Sequence, residues 1–326
     1  MLVTQSLRLL LCAVCLPAAS AVPAAAAWPE KAITLVHGFG TGGNIDSISR
    51  IVAERLSVRL GQPVVVEPRA GAGGRIAAAQ MGRTTPDGYT LIMLPGGHAV
   101  TAAMHEKLAY DPLKDFSFIS FVSQVPLILV THPDHPVKSI ADLMKTSSSS
   151  NPMFYGSPGA GTTQHLAGAL FAAMAKVNLK HLPTKGGAIV STMLLGKHID
   201  FAFESPALML VLVRGAKLRA LATTGPARFF ALPDVPTVGE TIPGYEATSW
   251  LGVAGPPKLP ADIVKRLNAE IAAVLQEPEL IEKYRKLGTL PLASTPEGFK
   301  ERVAADVAKW TKVVAEVGIK RVGAAQ

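Results

Sequence analysis

The chain has 326 residues, of which 48% are hydrophobic and 17% charged, and its formal net charge is +8. This composition is typical of a globular protein and excludes a wholly disordered chain. Lysines and arginines are scattered singly, and aromatic residues make up only 6% of the chain. Because nucleic-acid-binding proteins concentrate basic and aromatic residues, we expect no nucleic-acid partner, and the mild positive charge favours small anions instead.

The first 27 residues predict a secretory signal peptide. Arg8 is their only charged residue, an apolar run covers 9–16, and the small residues Ala25-Ala26-Ala27 precede the expected cleavage point. An uncleaved membrane anchor is the alternative, but the apolar run is well short of the ~20 residues that a membrane span needs. Lipid attachment at Cys15 is a weaker alternative, because the large Val14 precedes it.

Cleavage would leave a mature chain of 299 residues, since 27 of the 326 would be removed. That length is enough for two domains that share a cleft. Cys12 and Cys15 would leave with the signal peptide, so the mature chain would contain no thiol. We therefore expect no disulfide, no cysteine nucleophile and no cysteine-based zinc site.

A strand, a glycine-rich turn and a helix form the clearest local pattern. The β-branched apolar run over 33–37 predicts a buried strand, and apolar residues at helical spacing predict a helix over 44–60. The turn between them is Gly38-Phe39-Gly40-Thr41-Gly42-Gly43. Unpaired N–H groups and the helix dipole favour an anion at such a turn, and glycine lets a ligand approach the main chain.

Alternating strands and helices continue through the first half of the chain. The predicted elements are strands over 63–67, 89–94, 118–122 and 125–131 and helices over 76–81 and 139–144. The opening order, strand–helix–strand–helix–strand, is typical of a parallel sheet with right-handed crossovers. Pro126 indicates an edge strand or a segment that crosses between units.

The same pattern begins again in the second half. The predicted elements are strands over 153–155, 179–182, 199–203 and 218–223, a helix that opens at Thr162 and runs through Phe171, and a helix over 188–195. Glycine turns follow the strands here as they do in the first half, at 156–161 and 185–187. This repetition predicts two α/β lobes whose turns face each other.

The C-terminal part of the chain predicts a return to the first lobe. The proline-rich stretch 232–243 is typical of a linker, and a strand over 250–254 and helices over 261–276, 281–287 and 299–317 follow. We expect these last two helices to cover the outside of the first lobe. The predicted first lobe therefore comprises 28–124 and 229–326, and the second lobe comprises 125–228.

Two enzyme hypotheses compete with a binding protein. Gly38-x-Gly40-x-x-Gly43 fits the dinucleotide fingerprint and Glu67 ends the next strand, so a dinucleotide-binding oxidoreductase is the alternative function. Against it, Asp46 would place like charge beside a pyrophosphate, and a secreted protein leaves the compartment that supplies the cofactor.

A hydrolase is the other enzyme hypothesis. Tyr155-Gly156-Ser157-Pro158-Gly159 resembles a nucleophile elbow, although Tyr155 stands where glycine is required. His165 and Asp200 would supply the other two residues of a catalytic triad. The simpler interpretation is that Ser157 is only a hydroxyl in a turn. The histidines form no His-x-x-x-His or His-Glu-x-x-His pair, so we expect no metal. We also expect no catalytic residue and no cofactor.

Energetics favour two opposed turns over one. Burying a carboxylate costs several kcal/mol, whereas each hydrogen bond to a charged group returns about 1.5–3 kcal/mol. The turns over 41–44 and 161–163 together supply four or more N–H donors, so closure of the lobes on an anion would be favourable. Two interpretations of Asp46 remain open. Its carboxylate only stabilises the helix dipole, or it accepts hydrogen bonds from the ligand.

Short motifs are spread over essentially the whole predicted mature chain. In order they are Trp28-Pro29-Glu30-Lys31-Ala32-Ile33, Gly42-Gly43-x-x-Asp46, Gly61-Gln62-Pro63-Val64-Val65-Val66-Glu67, Gly71-Ala72-Gly73-Gly74, Pro86-Asp87-Gly88-Tyr89-Thr90-Leu91, Tyr110-Asp111-Pro112-Leu113-Lys114-Asp115-Phe116, Gly156-Ser157-Pro158-Gly159, His165-Leu166-Ala167-Gly168, Lys185-Gly186-Gly187-Ala188, Leu232-Pro233-Asp234-Val235-Pro236-Thr237 and Pro243-Gly244-Tyr245-Glu246. Their order resembles the Bug family, the substrate-binding proteins of tripartite tricarboxylate transporters. Thr184 departs from that family, which usually has tyrosine there.

The resemblance implies a periplasmic-binding-protein-like fold in which each lobe is a mostly parallel sheet flanked by helices. It implies a small carboxylate held between the lobes, with transporter membrane subunits, or a sensor protein, as partners of a monomer. The turn from Phe39 to Asp46 and the turn from Ser157 to His165 would grip the carboxylate directly and through ordered waters. The predicted ligand-binding residues are Phe39, Gly40, Thr41, Gly42, Gly43, Asp46, Ser157, Gly161, Thr162, Thr163, His165, Thr184, Lys185, Gly186 and Glu204.

Overall fold

The structure is a computed structural model that describes residues 28–146, 152–319 and 321–323. The predicted signal peptide, 1–27, lies outside the described residues. The strands are β1 (Ile33–His37), β2 (Val64–Pro68), β3 (Thr90–Pro95), β4 (Ser117–Pro126), β5 (Ile128–Thr131), β6 (Met153–Ser157), β7 (Leu179–Pro183), β8 (Phe201–Glu204), β9 (Arg219–Thr223), β10 (Thr248–Gly255) and β11 (Leu290–Pro291). The helices are α1 (Asn44–Leu60), α2 (Arg75–Met81), α3 (Gly97–Met104), α4 (Ile140–Thr146), α5 (Thr163–Ala175), α6 (Gly187–Leu195), α7 (Pro206–Arg214), α8 (Ala261–Val274), α9 (Pro278–Lys286) and α10 (Pro296–Glu316).

The strands form two sheets, each flanked by helices. The first sheet has the order β11-β4-β10-β3-β1-β2, and the second has the order β7-β6-β8-β5-β9. β1 runs parallel to β2 and β3, and β6 runs parallel to β7 and β8. Antiparallel pairs arise where β10 joins β3 and β4, where β11 joins β4, and where β5 joins β8 and β9. This architecture agrees with the predicted two-lobed α/β fold; we call the elements around each sheet the first and second lobe.

The chain passes between the sheets at a buried threonine. β4 ends at Pro126 in the first sheet and β5 begins at Ile128 in the second, so the predicted strand 125–131 is wrong at its start. The N–H of Leu127 donates to Oγ1 of Thr224 at 2.7 Å, and that hydroxyl donates to the carbonyl of Ala247 at 2.6 Å. Pro126 therefore marks a crossing segment, as expected, and Thr224 ties the crossing chain segments together.

Helix α1 illustrates how the sequence pattern becomes packing. Its apolar stripe, Ile48, Val52, Leu56 and Leu60, is buried against the first sheet, as the spacing predicts. The helix is followed by Gly61, whose φ of 68° is a left-handed conformation that glycine adopts without a Cβ clash.

Helix α10 spans both lobes. Phe299 and Val303 pack with Trp250 of the first sheet, as expected for a helix that covers the first lobe. The other end differs, because Trp310 and Val313 join a core cluster that also contains α3 and α5 residues. The expectation of a purely first-lobe helix is therefore incomplete. Within the described part of the chain, no helix combines the length and the apolar character needed to cross a membrane.

Candidate functional site

A cavity of about 450 Å³ lies between the two sheets. Both lobes contribute to its lining, which consists of Phe39, Gly40, Thr41, Gly42, Gly43, Asn44, Ile45, Gly73, Pro95, Gly97, Val125, Leu127, Pro158, Gly161, Thr162, Thr163, Gln164, Gly186, Gly187, Ala188, Glu204, Ser205, Leu208, Ser249 and Leu251. Its volume lies within the ~300–1,000 Å³ range of small-molecule sites.

Five helices begin at this cavity. Lining residues stand at or beside the first turns of α1, α3, α5, α6 and α7. The first N–H groups of a helix have no partner within it, and the helix dipole adds partial positive charge at that end. None of the described lining residues is lysine or arginine. The donors that the cavity offers are therefore main-chain N–H groups, which bind anions at many helix N-termini, and neutral side chains such as Asn44 and Ser249.

Apolar side chains make up part of the remaining wall, beside polar side chains such as Asn44 and Ser249. Phe39 and Leu251 contribute from the first lobe, Leu208 contributes from the second, and Leu127 lies at the crossing between the sheets. Such a wall favours a ligand with a hydrocarbon or aromatic body. The sequence signals missed this wall because its members come from distant strands and helices without a shared motif.

The structure brings ten of the fifteen predicted ligand-binding residues to the cavity. These are Phe39, Gly40, Thr41, Gly42, Gly43, Gly161, Thr162, Thr163, Gly186 and Glu204. Asp46, Ser157, His165, Thr184 and Lys185 lie outside the lining. Asn44 and Gln164 line the cavity but were not predicted; both stand in turns that the glycine pattern had already indicated.

The carboxylate of Asp46 stabilises the glycine turn that precedes α1. Its Oδ2 accepts hydrogen bonds from the N–H of Gly42 at 3.0 Å and from Nε of Arg50 at 3.1 Å, and its Oδ1 contacts Nε2 of His37 at 3.1 Å. Burial alone would raise the pKa of this carboxyl, but the bonds from Arg50, Gly42 and His37 outweigh it and lower the pKa to about 2. Both oxygens are occupied within the protein, which favours the structural interpretation of Asp46.

A histidine pair supports the second turn. His165 and His181 stack with ring centroids 3.9 Å apart, and burial is the main cause that lowers their pKa values to about 4 and about 3. Both rings are therefore neutral near pH 7. Neutral His165 accepts a hydrogen bond from the N–H of Gly161 through Nδ1 at 3.3 Å, and Oγ1 of Thr162 accepts one from the N–H of His165. The pair keeps the turn in position without adding charge.

The triad that the hydrolase hypothesis requires is not assembled among the described residues. Oγ of Ser157 contacts Nε2 of His181 at 2.6 Å instead of His165, and it also donates to the carbonyl of Gly159. Asp200 accepts a hydrogen bond from the N–H of Phe154 at 2.7 Å. Ser157 is a buried turn hydroxyl, which agrees with the simpler interpretation of that residue.

Thr184 and Lys185 lie between β7 and α6, outside the cavity lining. Oγ1 of Thr184 lies 3.0 Å from the carbonyl oxygens of Ser157 and Gly186, which share its single O–H, so this hydroxyl joins the end of β6 to the start of α6. Thr184 also lines a neighbouring cavity of about 360 Å³. The side chain of Lys185 is exposed.

Glu204 is the one charged side chain among the described lining residues. It is only 1% exposed, and its Oε1 accepts hydrogen bonds from Nε2 of Gln164 at 3.2 Å and from the N–H of Ser205 at 2.8 Å. Burial outweighs these bonds and raises the pKa of the carboxyl to about 7. Oε2 has no hydrogen-bond partner among the described residues.

Two α/β lobes with a cavity between them, at which several helices begin, are the features of a two-lobed solute-binding protein. The chain belongs to the tripartite tricarboxylate transporter receptor family, whose family model matches residues 48–319. Known members of this receptor class are substrate-binding proteins, and BugD is a periplasmic one. The comparisons give no support to the dinucleotide-binding alternative.

Three solved structures show how close the likeness is. R. palustris Rpa4515 with adipate is 34% identical with a TM-score of 0.85, and the match covers 91% of this chain and 100% of that one. The periplasmic binding protein BugD is 29% identical with a TM-score of 0.82 over 90% and 99% of the two chains. MatC from Rhodopseudomonas palustris with bound malate is 27% identical with a TM-score of 0.82 over 88% and 100%. These matches confirm the predicted two-lobed fold and the resemblance to Bug proteins.

Proposed function

We propose that this protein is a periplasmic receptor that captures a small carboxylate between its lobes and delivers it to the membrane subunits of a tripartite transporter. The convergence of five helix N-termini on one cavity, without a lysine or arginine among the described lining residues, carries this proposal. Main-chain N–H groups stabilise a carboxylate through charge-assisted hydrogen bonds. Because α7 begins with Pro206, which has no N–H, and the N–H of Ser205 donates to Glu204, these donors come from α1, α3, α5 and α6.

Relatives support the ligand class. Rpa4515 was solved with adipate and MatC with malate, and both align with nearly the whole described chain. The ten predicted residues that line the cavity are proposed to contact the ligand, with the turns at Gly42 and Thr163 on opposite sides of its carboxylate. The apolar wall would hold the body of the ligand.

Several finer features belong to the same proposal. The signal peptide is cleaved after Ala27, the mature protein acts as a monomer, and it binds its ligand without turnover; a sensor protein is the alternative partner to a transporter. The lobe limits, 28–124 with 229–326 and 125–228, stay a prediction. The closest structural landmark to them is Leu127, where the chain passes from one sheet to the other.

Native mass spectrometry of the purified mature protein tests the proposal, because a tightly bound ligand stays with the protein during purification. We expect a co-purified carboxylate and a rise in melting temperature when it is added back, since a ligand that binds only the folded state stabilises it by about 2.7 kcal/mol at 100 times Kd. The ligand should be recovered unchanged after incubation. A co-purified nicotinamide dinucleotide, or conversion of the carboxylate to a product, would overturn the proposal.

A further inference from the structure

Glu204 has one hydrogen-bonding atom without a partner at the wall of the cavity. Gln164 and Ser205 both donate to Oε1, so that oxygen is occupied, whereas Oε2 has no partner among the described residues although the residue is 99% buried. A buried acceptor without a partner destabilises the folded state, and more so when it is charged. Such a group points to a partner that arrives with the ligand.

Oε2 packs against a glycine at the wall of the cavity. A Cβ on Gly187 would lie 3.0 Å from Oε2 and would overlap Cδ1 of Leu208, so the glycine at the start of α6 makes room for the carboxyl. Gly187, Leu208 and Glu204 all line the cavity. Since Gln164 stands in the first turn of α5, the same side chain that orients Glu204 lies next to the N–H groups proposed to hold the ligand carboxylate.

We propose that Glu204 is the specificity-determining residue of the site and selects a ligand that carries one carboxylate and, separately, a hydrogen-bond donor. The donor is a hydroxyl, an amide N–H or an ammonium group, and it meets Oε2. A second carboxylate would place like charge against Glu204 with no basic side chain among the described lining residues to offset it, which is unfavourable at short range. This inference rests on the proposed function.

Matched carboxylates of one size test it by isothermal titration calorimetry at pH 8. The first set is hexanoate, adipate and 6-hydroxyhexanoate, and the second is benzoate, terephthalate and 4-hydroxybenzoate. In each set the first acid has no second polar group, the second acid has a second carboxylate, and the third acid has a hydroxyl. The proteins are the wild type, Glu204→Gln and Glu279→Gln. Glu279 is a matched control because its carboxylate is 73% exposed and pairs with Arg55 on the outside of the first lobe.

We expect the wild type and Glu279→Gln to bind the hydroxyl member of at least one set about tenfold or more tightly than its dicarboxylate, the factor that one hydrogen bond to a charged group supplies. In Glu204→Gln the amide oxygen replaces Oε1 and the amide N–H₂ faces the cavity, so the preference should reverse toward the dicarboxylate. Equal affinities for dicarboxylate and hydroxy acid, unchanged by Glu204→Gln, would overturn this inference and leave carboxylate capture intact. If the folded protein binds none of the six acids and no carboxylate co-purifies with it, carboxylate capture itself is contradicted.

Discussion

Oδ2 of Asp46 accepts a hydrogen bond from the N–H of Gly42 at 3.0 Å, so a side chain in the first turn of α1 holds the glycine turn that precedes it. The same carboxylate pairs with Arg50 and contacts the buried ring of His37. The turn therefore presents its remaining N–H groups to the cavity in one orientation. Preorganised donors of this kind bind an anion without the entropic cost of ordering the loop.

Replacing Asp46 should destabilise the protein in a pH-dependent way. Because the pKa of Asp46 is lowered from 3.8 to about 2 in the folded chain, its stabilising effect is complete above pH 4 and is lost as the pH falls through about 2. We expect Asp46→Asn to lower the free energy of unfolding by about 2 kcal/mol at pH 7. Urea denaturation between pH 2 and pH 7 measures this difference. Asp262→Asn, an exposed aspartate in the first turn of α8, is the control, and a difference that does not change with pH would contradict the assignment.

Thr163→Pro should weaken ligand binding without disrupting α5. Thr163 is the first residue of α5, where proline is tolerated, and the preceding Thr162 has the extended conformation (ψ 159°) that proline requires. The substitution removes one donor N–H from the second turn, so we expect affinity for the co-purified carboxylate to fall about tenfold or more. Thr163→Ala keeps the N–H and separates its contribution from that of the side chain. If Thr163→Pro and Thr163→Ala bind equally well, the second turn does not hold the carboxylate through this group.

The histidine pair should make the protein less stable in mild acid. The pKa of His181 is about 3 in the folded chain and about 6.5 when unfolded, so the unfolded state binds a proton first and stability falls as the pH drops below 6.5. His181→Phe keeps a ring beside His165 but does not titrate, and from pH 7.5 to 5.0 it should lose about 2 kcal/mol less stability than the wild type. Thermal and urea unfolding at both pH values give this comparison. His198→Gln, which changes an exposed histidine, is the control, and its stability should depend on pH as that of the wild type does.

Glu204 should have the opposite pH dependence. Its pKa is raised from 4.5 to about 7, so the folded state prefers the protonated form and stability is lost as the pH rises from 4.5 through 7. Glu204→Gln does not titrate, and we expect it to be more stable than the wild type by about 3 kcal/mol at pH 8 and similar to it at pH 4. Equal stability at pH 8 would show that the carboxyl is solvated. Glu279→Gln should match the wild type at both pH values.

Local sequence patterns predicted most of the helices and strands and both glycine turns. The stripe that begins at Ile48 and the turn before Thr163 depend only on neighbours in the chain, so periodicity and glycine placement were enough. Helices α3 and α7 were missed because each begins within two residues of the end of a strand, β3 or β8. The glycine and proline residues that begin these helices were interpreted as turns that end the strands. The span of α10 across both lobes was also missed, since an apolar stripe does not say which neighbours will cover it.

Motifs along the chain were sufficient to indicate the family, the two-lobed fold and an anion site at glycine turns, since each motif is a short-range pattern. They indicated neither that five helices begin at one cavity nor that one oxygen of Glu204 stays unpaired there. Those features arise when segments far apart in the chain pack together, because hydrogen-bond partners and burial are properties of neighbours in space. The chemistry that discriminates one carboxylate from another is therefore a product of packing.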